Sequence, residues 1–298
     1  METAPRRILR MKKKSKQRSS AGTTIILVLV LIAGLSLLLY PTVADKWNER
    51  HSTRVISSYS QALEDMSNEE LVKEYERAVE YNSHIKDRNN IYVLSDEERE
   101  EYESLLDIKG IGIMGYIEVP SLDILLPIYH GTGESALQVG VGHLDWSSLP
   151  VGGEGTHCLL SGHRGLPSAR LFTDLDKLKE GELFTLTVLD EVLTYEVDRI
   201  RIVEPTDITQ LQIEKDKDYC TLITCTPYGI NTHRLLVRGH RVETEEVHKV
   251  RIISEAVMIE PLLVAPIVAF PFLLALLLLV IFGKPRKRSQ IDETWEEL

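Results

Sequence analysis

The chain has 298 residues, 45 acidic against 34 basic side chains and a formal net charge of -11, with 43% hydrophobic residues. That acidic excess argues against nucleic acid as a partner, because phosphate binding is built from clustered lysine and arginine. Between two long apolar runs, roughly 220 residues of mixed composition exclude a disordered or fibrous chain and leave room for one well-buried core.

Residues 1–22 carry Arg6, Arg7, Arg10, Lys12, Lys13, Lys14, Lys16 and Arg18. The apolar run that follows, 23–40, is about 18 residues long, near the length that spans a hydrocarbon core. A secretory signal peptide is the rival reading, but the run exceeds a typical signal core and Leu37-Leu38-Leu39-Tyr40-Pro41 offers no small-x-small cleavage site. An uncleaved anchor is therefore expected. A second run, 261–282, is about 22 residues long and is followed by Lys284, Arg286, Lys287 and Arg288 in the tail 283–298. Basic residues flank the cytoplasmic ends of membrane spans. The expectation is two transmembrane helices with both termini cytoplasmic and residues 41–260 outside the cell membrane, a multi-pass arrangement.

Residues 41–110 read as a helical arm. Val55, Tyr59, Leu63 and Met66 recur at three- and four-residue steps, and Ser67 with Glu70 and Ser95 with Glu98 form capping boxes that start two further helices. These are expected as charged, solvated helices linking the anchor to a domain. Gly110, Gly112 and Gly115 mark a change of composition, and a compact domain is expected over 111–242, with a connector over 243–260. Inside it, β-type runs at 116–119, 124–129, 157–161, 183–188, 192–203, 219–225 and 234–240 alternate with turn signals. Six to eight short strands at that spacing point to a closed or nearly closed barrel.

The three cysteines, Cys158, Cys220 and Cys225, are an odd number with no CxxC pair, so at least one is expected as a free thiol. Residues 219–225 form a strand that stops at Thr226-Pro227-Tyr228-Gly229, and a second strand resumes at His233. Cys225 thus sits at the mouth of a long-looped hairpin. If Cys225 pairs with Arg234, the two-residue period places Ile223, Cys225, Arg234 and Leu236 on one face. Cys220 then points to the other face as a buried thiol, and Cys158 also reads as core.

Acyl transfer by a cysteine needs a proton-handling partner, since the thiol must lose its proton and the leaving amine must gain one. Composition does not choose among nine histidines. His163 stands at a strand end, where Ser161-Gly162 opens into a loop, the setting in which scaffolds present reactive groups. His130, His143 and His157 show no recognised metal spacing, and neither metal nor cofactor is expected.

Thr221-Leu222-Ile223-Thr224-Cys225 resembles the TLxTC signature of sortases, and its continuation through Thr226-Pro227-Tyr228-Gly229-Ile230-Asn231-Thr232-His233-Arg234 is similar to the class C, pilin-polymerising branch. Ser161-Gly162-His163-Arg164-Gly165, with Leu171-Phe172-Thr173-Asp174-Leu175 after it, is similar to the family's histidine segment. The resemblance implies a mainly β fold, an eight-stranded sortase-type barrel with N-terminal helices and two transmembrane helices. It also implies Cys225 as nucleophile, His163 as proton shuttle and Arg234 as oxyanion or positioning group, with Thr224 as a substrate-binding candidate.

The implied activity is that of a Gram-positive, membrane-anchored cysteine transpeptidase whose catalytic domain is extracellular. It would act on pilin or surface proteins with an LPxTG-like sorting signal and join them to a pilin lysine acceptor. A sortase that anchors single proteins to the cell-wall precursor, and a non-catalytic pilin scaffold, are the alternatives. Relatives in this branch usually carry an Asp-Pro-aromatic lid upstream of the barrel. No proline lies between Pro41 and Pro120, so that motif is absent. The site is expected to be open, or closed by a segment such as 85–92, with Asp87 and Tyr92, that the motif does not identify.

Overall fold

The structure, a computed structural model, describes residues 20–85 and 92–244, with side chains from residue 25 onward. The expected second span at 261–282, the tail after it and nearly all of the 243–260 connector lie outside the described residues. Within them the chain divides between Leu39 and Tyr40 into two units. The first unit is the apolar half of helix α1 (Ser20–Glu64), whose side chains, including Ile25, Leu27 and Val30, are exposed to the surroundings rather than packed in protein. It is the one helix among the described residues long and apolar enough to cross a membrane. The boundary expected at residue 41 falls within α1, which contains Pro41.

The second unit holds the rest of the arm and the barrel. Helices α2 (Asn68–Ile85) and α3 (Asp96–Ser104) begin where the capping boxes predict. Ser67 N–H donates to Glu70 Oε2 over 2.8 Å and Ser95 N–H to Glu98 Oε2 over 2.7 Å, each satisfying a helix-start donor. The arm is not the solvated linker expected from its charge. Leu71, Ala78, Tyr81, Asn82 and Ile85 recur at helical spacing and are buried, giving α2 an apolar stripe that must be covered. Its Asn82 clasps Leu149, donating to the carbonyl over 3.1 Å and accepting from the amide over 2.7 Å. From α1, the fully buried Tyr59 hydroxyl donates to Met114 O and accepts from Leu189 N–H. Most charged residues of these helices are exposed, but Glu74 turns inward and accepts from Leu106 N–H over 2.7 Å.

Eight strands close the barrel: β1 (Ile113–Val119), β2 (Ile124–His130), β3 (Val141–His143), β4 (Thr156–Ser161), β5 (Leu183–Val188), β6 (Glu191–Val203), β7 (Asp218–Thr226) and β8 (His233–Val242). The order around it is β1-β2-β3-β4-β7-β8-β6-β5. Pairs β2/β3 and β4/β7 are parallel, the others antiparallel. Alternation splits the apolar residues by face. Cys158, Leu160, Cys220, Leu222, Leu235 and Val237 join the main core. Leu159, Ile223 and Leu236, their neighbours in sequence, form a separate cluster with Leu211 on the outer face.

Only β3 escapes the strand pattern of the sequence. Three residues are too short to show a period, and Gly142 at its centre adds no side chain. That glycine is required, since a Cβ there would collide with the Gly131 carbonyl.

Candidate active site

Register assembles the site. In the antiparallel β7/β8 pair Cys225 stands directly opposite Arg234, and Ile223 opposite Leu236, the pairing on which the single-face reading depended. On the other side of β7, the parallel ladder with β4 runs to Ser161 opposite Ile223. It continues one residue further, with Gly162 N–H donating to Ile223 O over 3.0 Å. Thr224 Oγ1 then donates to Gly162 O over 2.7 Å, so His163 and Cys225 each follow directly on a residue of this joined pair. Thiol and arginine thus share one face with Ile223 and Leu236, and the segment leading to His163 is the neighbour of β7 on its other side.

Each of the three is held by its surroundings. Cys225 is partly exposed, whereas Cys158 and Cys220 are buried and are register partners in β4 and β7. Burial pushes the Cys220 thiol well above its ordinary value, so it stays protonated. Arg234 donates through one terminal nitrogen to the carbonyls of His233, over 3.2 Å, and Asn231, over 3.4 Å. Asn231, at φ 60°, and Gly229, at φ 74°, turn the loop that presents those carbonyls. The loop's Tyr228 and Ile230 remain exposed and form an apolar lip that the motif reading did not single out.

His163 leads a loop pinned at many points. Phe172 N–H donates to His163 O over 3.1 Å, and Gly165 N–H to Thr173 Oγ1 over 3.1 Å. Helix α1 reaches this loop as well. Asn48 Nδ2 donates to Ser168 O over 2.9 Å, and Asp45 Oδ1 accepts from Arg170 N–H over 2.7 Å. Arg164 turns inward, donating to Thr226 Oγ1 over 3.2 Å and pairing with Asp176. Gly162 has no room for a Cβ, which would meet the Phe172 ring at 2.6 Å.

Thr224 does not line an open surface. It is 2% exposed, and its hydroxyl donates to Gly162 O over 2.7 Å. It ties the strand bearing the thiol to the one bearing the imidazole. Glu134, at the start of the short helix α4 (Glu134–Leu137), brings Oε2 to 3.8 Å from His163 Nε2. Nothing in the sequence connects it to His163, since the two meet only through the β2-β3-β4 order.

His130, His143 and His157 are structural. His143 Nδ1 meets the Tyr102 hydroxyl at 3.0 Å and its Nε2 meets Ser148 O at 2.8 Å. His157 is bound between Gln212 O at 2.9 Å and Thr221 Oγ1 at 2.7 Å, and burial lowers its pKa to about 4. His130 Nε2 meets Leu105 O at 2.7 Å. Of the possible closing segment, residues 86–91 lie outside the described residues. Tyr92 packs edge-on against Trp146, with centroids 5.2 Å apart, and accepts from Gln212 Nε2 over 3.0 Å.

A partly exposed thiol paired with a held guanidinium, with an imidazole two residues beyond the end of the adjoining strand, is a set able to perform acyl transfer. The sortase domain family profile matches residues 117–242. The chain is 53% identical to sortase C1 from Streptococcus agalactiae in its crystal structure, with a TM-score of 0.63, over 64% of this chain and 100% of that one. It is 43% identical to Clostridium perfringens sortase C, solved with the C-terminal cell wall sorting motif, with a TM-score of 0.57, over 65% of this chain and 100% of that one. It is 31% identical to sortase D of Bacillus subtilis over 131 residues, which span 43% of this chain and 63% of that relative. With the barrel, the register and these matches in agreement, the chain belongs to the sortase family of cysteine transpeptidases.

Proposed function

We propose that the protein is a pilin-polymerising transpeptidase, held by α1 at the outer face of the cell membrane, that cleaves an LPxTG-like sorting signal and joins it to a pilin lysine. The observation that carries this reading is the pairing of Cys225 with Arg234 across β7/β8, next to the β4 end from which the chain runs on to His163. The similarity to sortases C, one of them solved with a sorting motif, supports the substrate class.

In the first step the Cys225 thiolate attacks the threonine carbonyl of the signal. Arg234 stabilises the charge that develops on the carbonyl oxygen, being a cation with several donors and no easily lost proton. His163 protonates the departing glycine amine, which leaves a thioester on Cys225. In the second step a lysine amine displaces the thiol, and the product is an isopeptide bond between subunits.

Incubation of the full chain in detergent with a pilin and its sorting signal tests the reading. The expected result is a mass adduct on Cys225 followed by an SDS-resistant ladder. Transfer to a wall-precursor amine with no ladder would instead make the protein an anchoring sortase. Failure of any thioester to form would leave a scaffold.

A further inference from the structure

In the barrel order, β8, β7, the end of β4 and the β2/β3 connection are successive neighbours. They bear, in turn, Arg234, Cys225, His163 and Glu134. The row is therefore polar in charge, with a guanidinium at one end and a carboxylate at the other. The Glu134 side chain is 72% exposed, with Oε2 3.8 Å from His163 Nε2. Its Oε1 accepts from Gln138 Nε2 over 2.9 Å, which fixes one oxygen and leaves the other toward the imidazole. The second nearby cation, Arg164, is already neutralised by Asp176. A carbonyl gaining negative charge is drawn to the Arg234 end. A lysine ammonium is repelled from that end and attracted to the other.

We propose that Glu134 forms the acceptor-amine subsite, capturing the ammonium of the incoming lysine beside His163 at the end of the row opposite Arg234. This rests on the transpeptidase reading above. The captured ammonium releases one proton to water, and its nitrogen attacks the thioester carbonyl carbon. As the C–N bond forms, the C–S bond breaks and Cys225 leaves as thiolate. The second proton passes to His163, so the products are the amide and a thiolate beside an imidazolium. No further reactant is needed. Glu134 handles none of these protons; its part is to bind and orient a cation.

The test compares two nucleophiles on the full chain in detergent, with a sorting-signal peptide as acyl donor: a lysine-containing peptide, cationic near neutral pH, and hydroxylamine, which is uncharged there. The readout is the ratio of lysine product to hydroxamate. In Glu134→Gln this ratio is expected to fall about three- to fivefold, the scale of an exposed ion pair. In Glu134→Asp, which keeps the charge, most of the ratio is expected to remain. The difference between the unaltered chain and Glu134→Gln should close in roughly 1 M salt, where screening removes exposed attractions. An equal loss with both nucleophiles would make Glu134 a positioning residue for His163 and overturn the proposal, as would no change in the ratio. If the unaltered chain yields neither product, the transpeptidase reading itself fails, a result distinct from a selective failure with lysine.

Discussion

The hydroxyl of Thr224 donates to the carbonyl of Gly162 over 2.7 Å, so the residue before Cys225 is bonded to the residue before His163. The bond lies inside the barrel wall, with Thr224 buried. It holds in place the two strand ends on which the distance between thiol and imidazole depends.

Replacing Thr224 by valine keeps the shape and removes the donor, leaving a buried carbonyl that loses about 1–3 kcal/mol of compensation. Thioester formation is expected to slow by about tenfold, as small misplacements of reacting groups do, while the number of titratable thiols stays the same. Rapid-quench mass spectrometry of the acyl-enzyme measures it. Wild-type kinetics would show that the strand ends hold their spacing without this bond.

The three cysteines separate by exposure. Cys225→Ala is expected to abolish thioester and transfer product while leaving the fold intact, because a partly exposed side chain is lost rather than a core one. Cys158→Ala and Cys220→Ala remove volume from the main core and are expected to lower stability by about 1 kcal/mol or more while retaining transfer. Urea midpoints and a transfer assay on the same preparations check both halves. Polymer formation at the normal rate by Cys225→Ala would remove that residue from its role.

Arg234→Lys keeps the charge but not the planar fork that is held against the His233 and Asn231 carbonyls. An ammonium on a flexible stem cannot reproduce that orientation. The loss of kcat/KM for the sorting-signal peptide is expected to be about 100-fold, the scale for removing an oriented oxyanion donor. Near-normal turnover would mean that charge alone is enough.

His157 makes stability pH-dependent. Its folded pKa of about 4 lies below the unfolded value of about 6.5, so the unfolded chain binds the proton first as pH falls. The contribution is fully present above about pH 6.5 and is lost progressively down to about pH 4, by up to about 3 kcal/mol. Half-buried His130, whose pKa is also lowered by desolvation, acts in the same direction, whereas Asp218, raised by burial, acts oppositely. The difference in unfolding free energy between the unaltered chain and His157→Gln, followed from pH 7.5 to 4.5, isolates the His157 part. A constant difference across that range would contradict the assignment.

Strand alternation, hairpin turn chemistry and two capping boxes are local properties, so the sequence alone determined where most elements begin and end, that Cys220 and Cys225 face opposite ways, and that Arg234 can stand beside the thiol. The sortase motifs extended this to His163. What alternation cannot encode is which non-consecutive strands become neighbours. The β4/β7 contact that brings the strand ends before His163 and Cys225 together, the α1 contacts of Asp45 and Asn48 to the His163 loop, the burial of α2 and the approach of Glu134 to His163 all join residues distant in sequence. They form when the barrel closes in this strand order, which buries one face of every strand and leaves no strand edge unpaired. That order is decided by the packing of the whole chain, and it is why the thiol and the arginine were legible as a pair while the carboxylate beside the histidine was not.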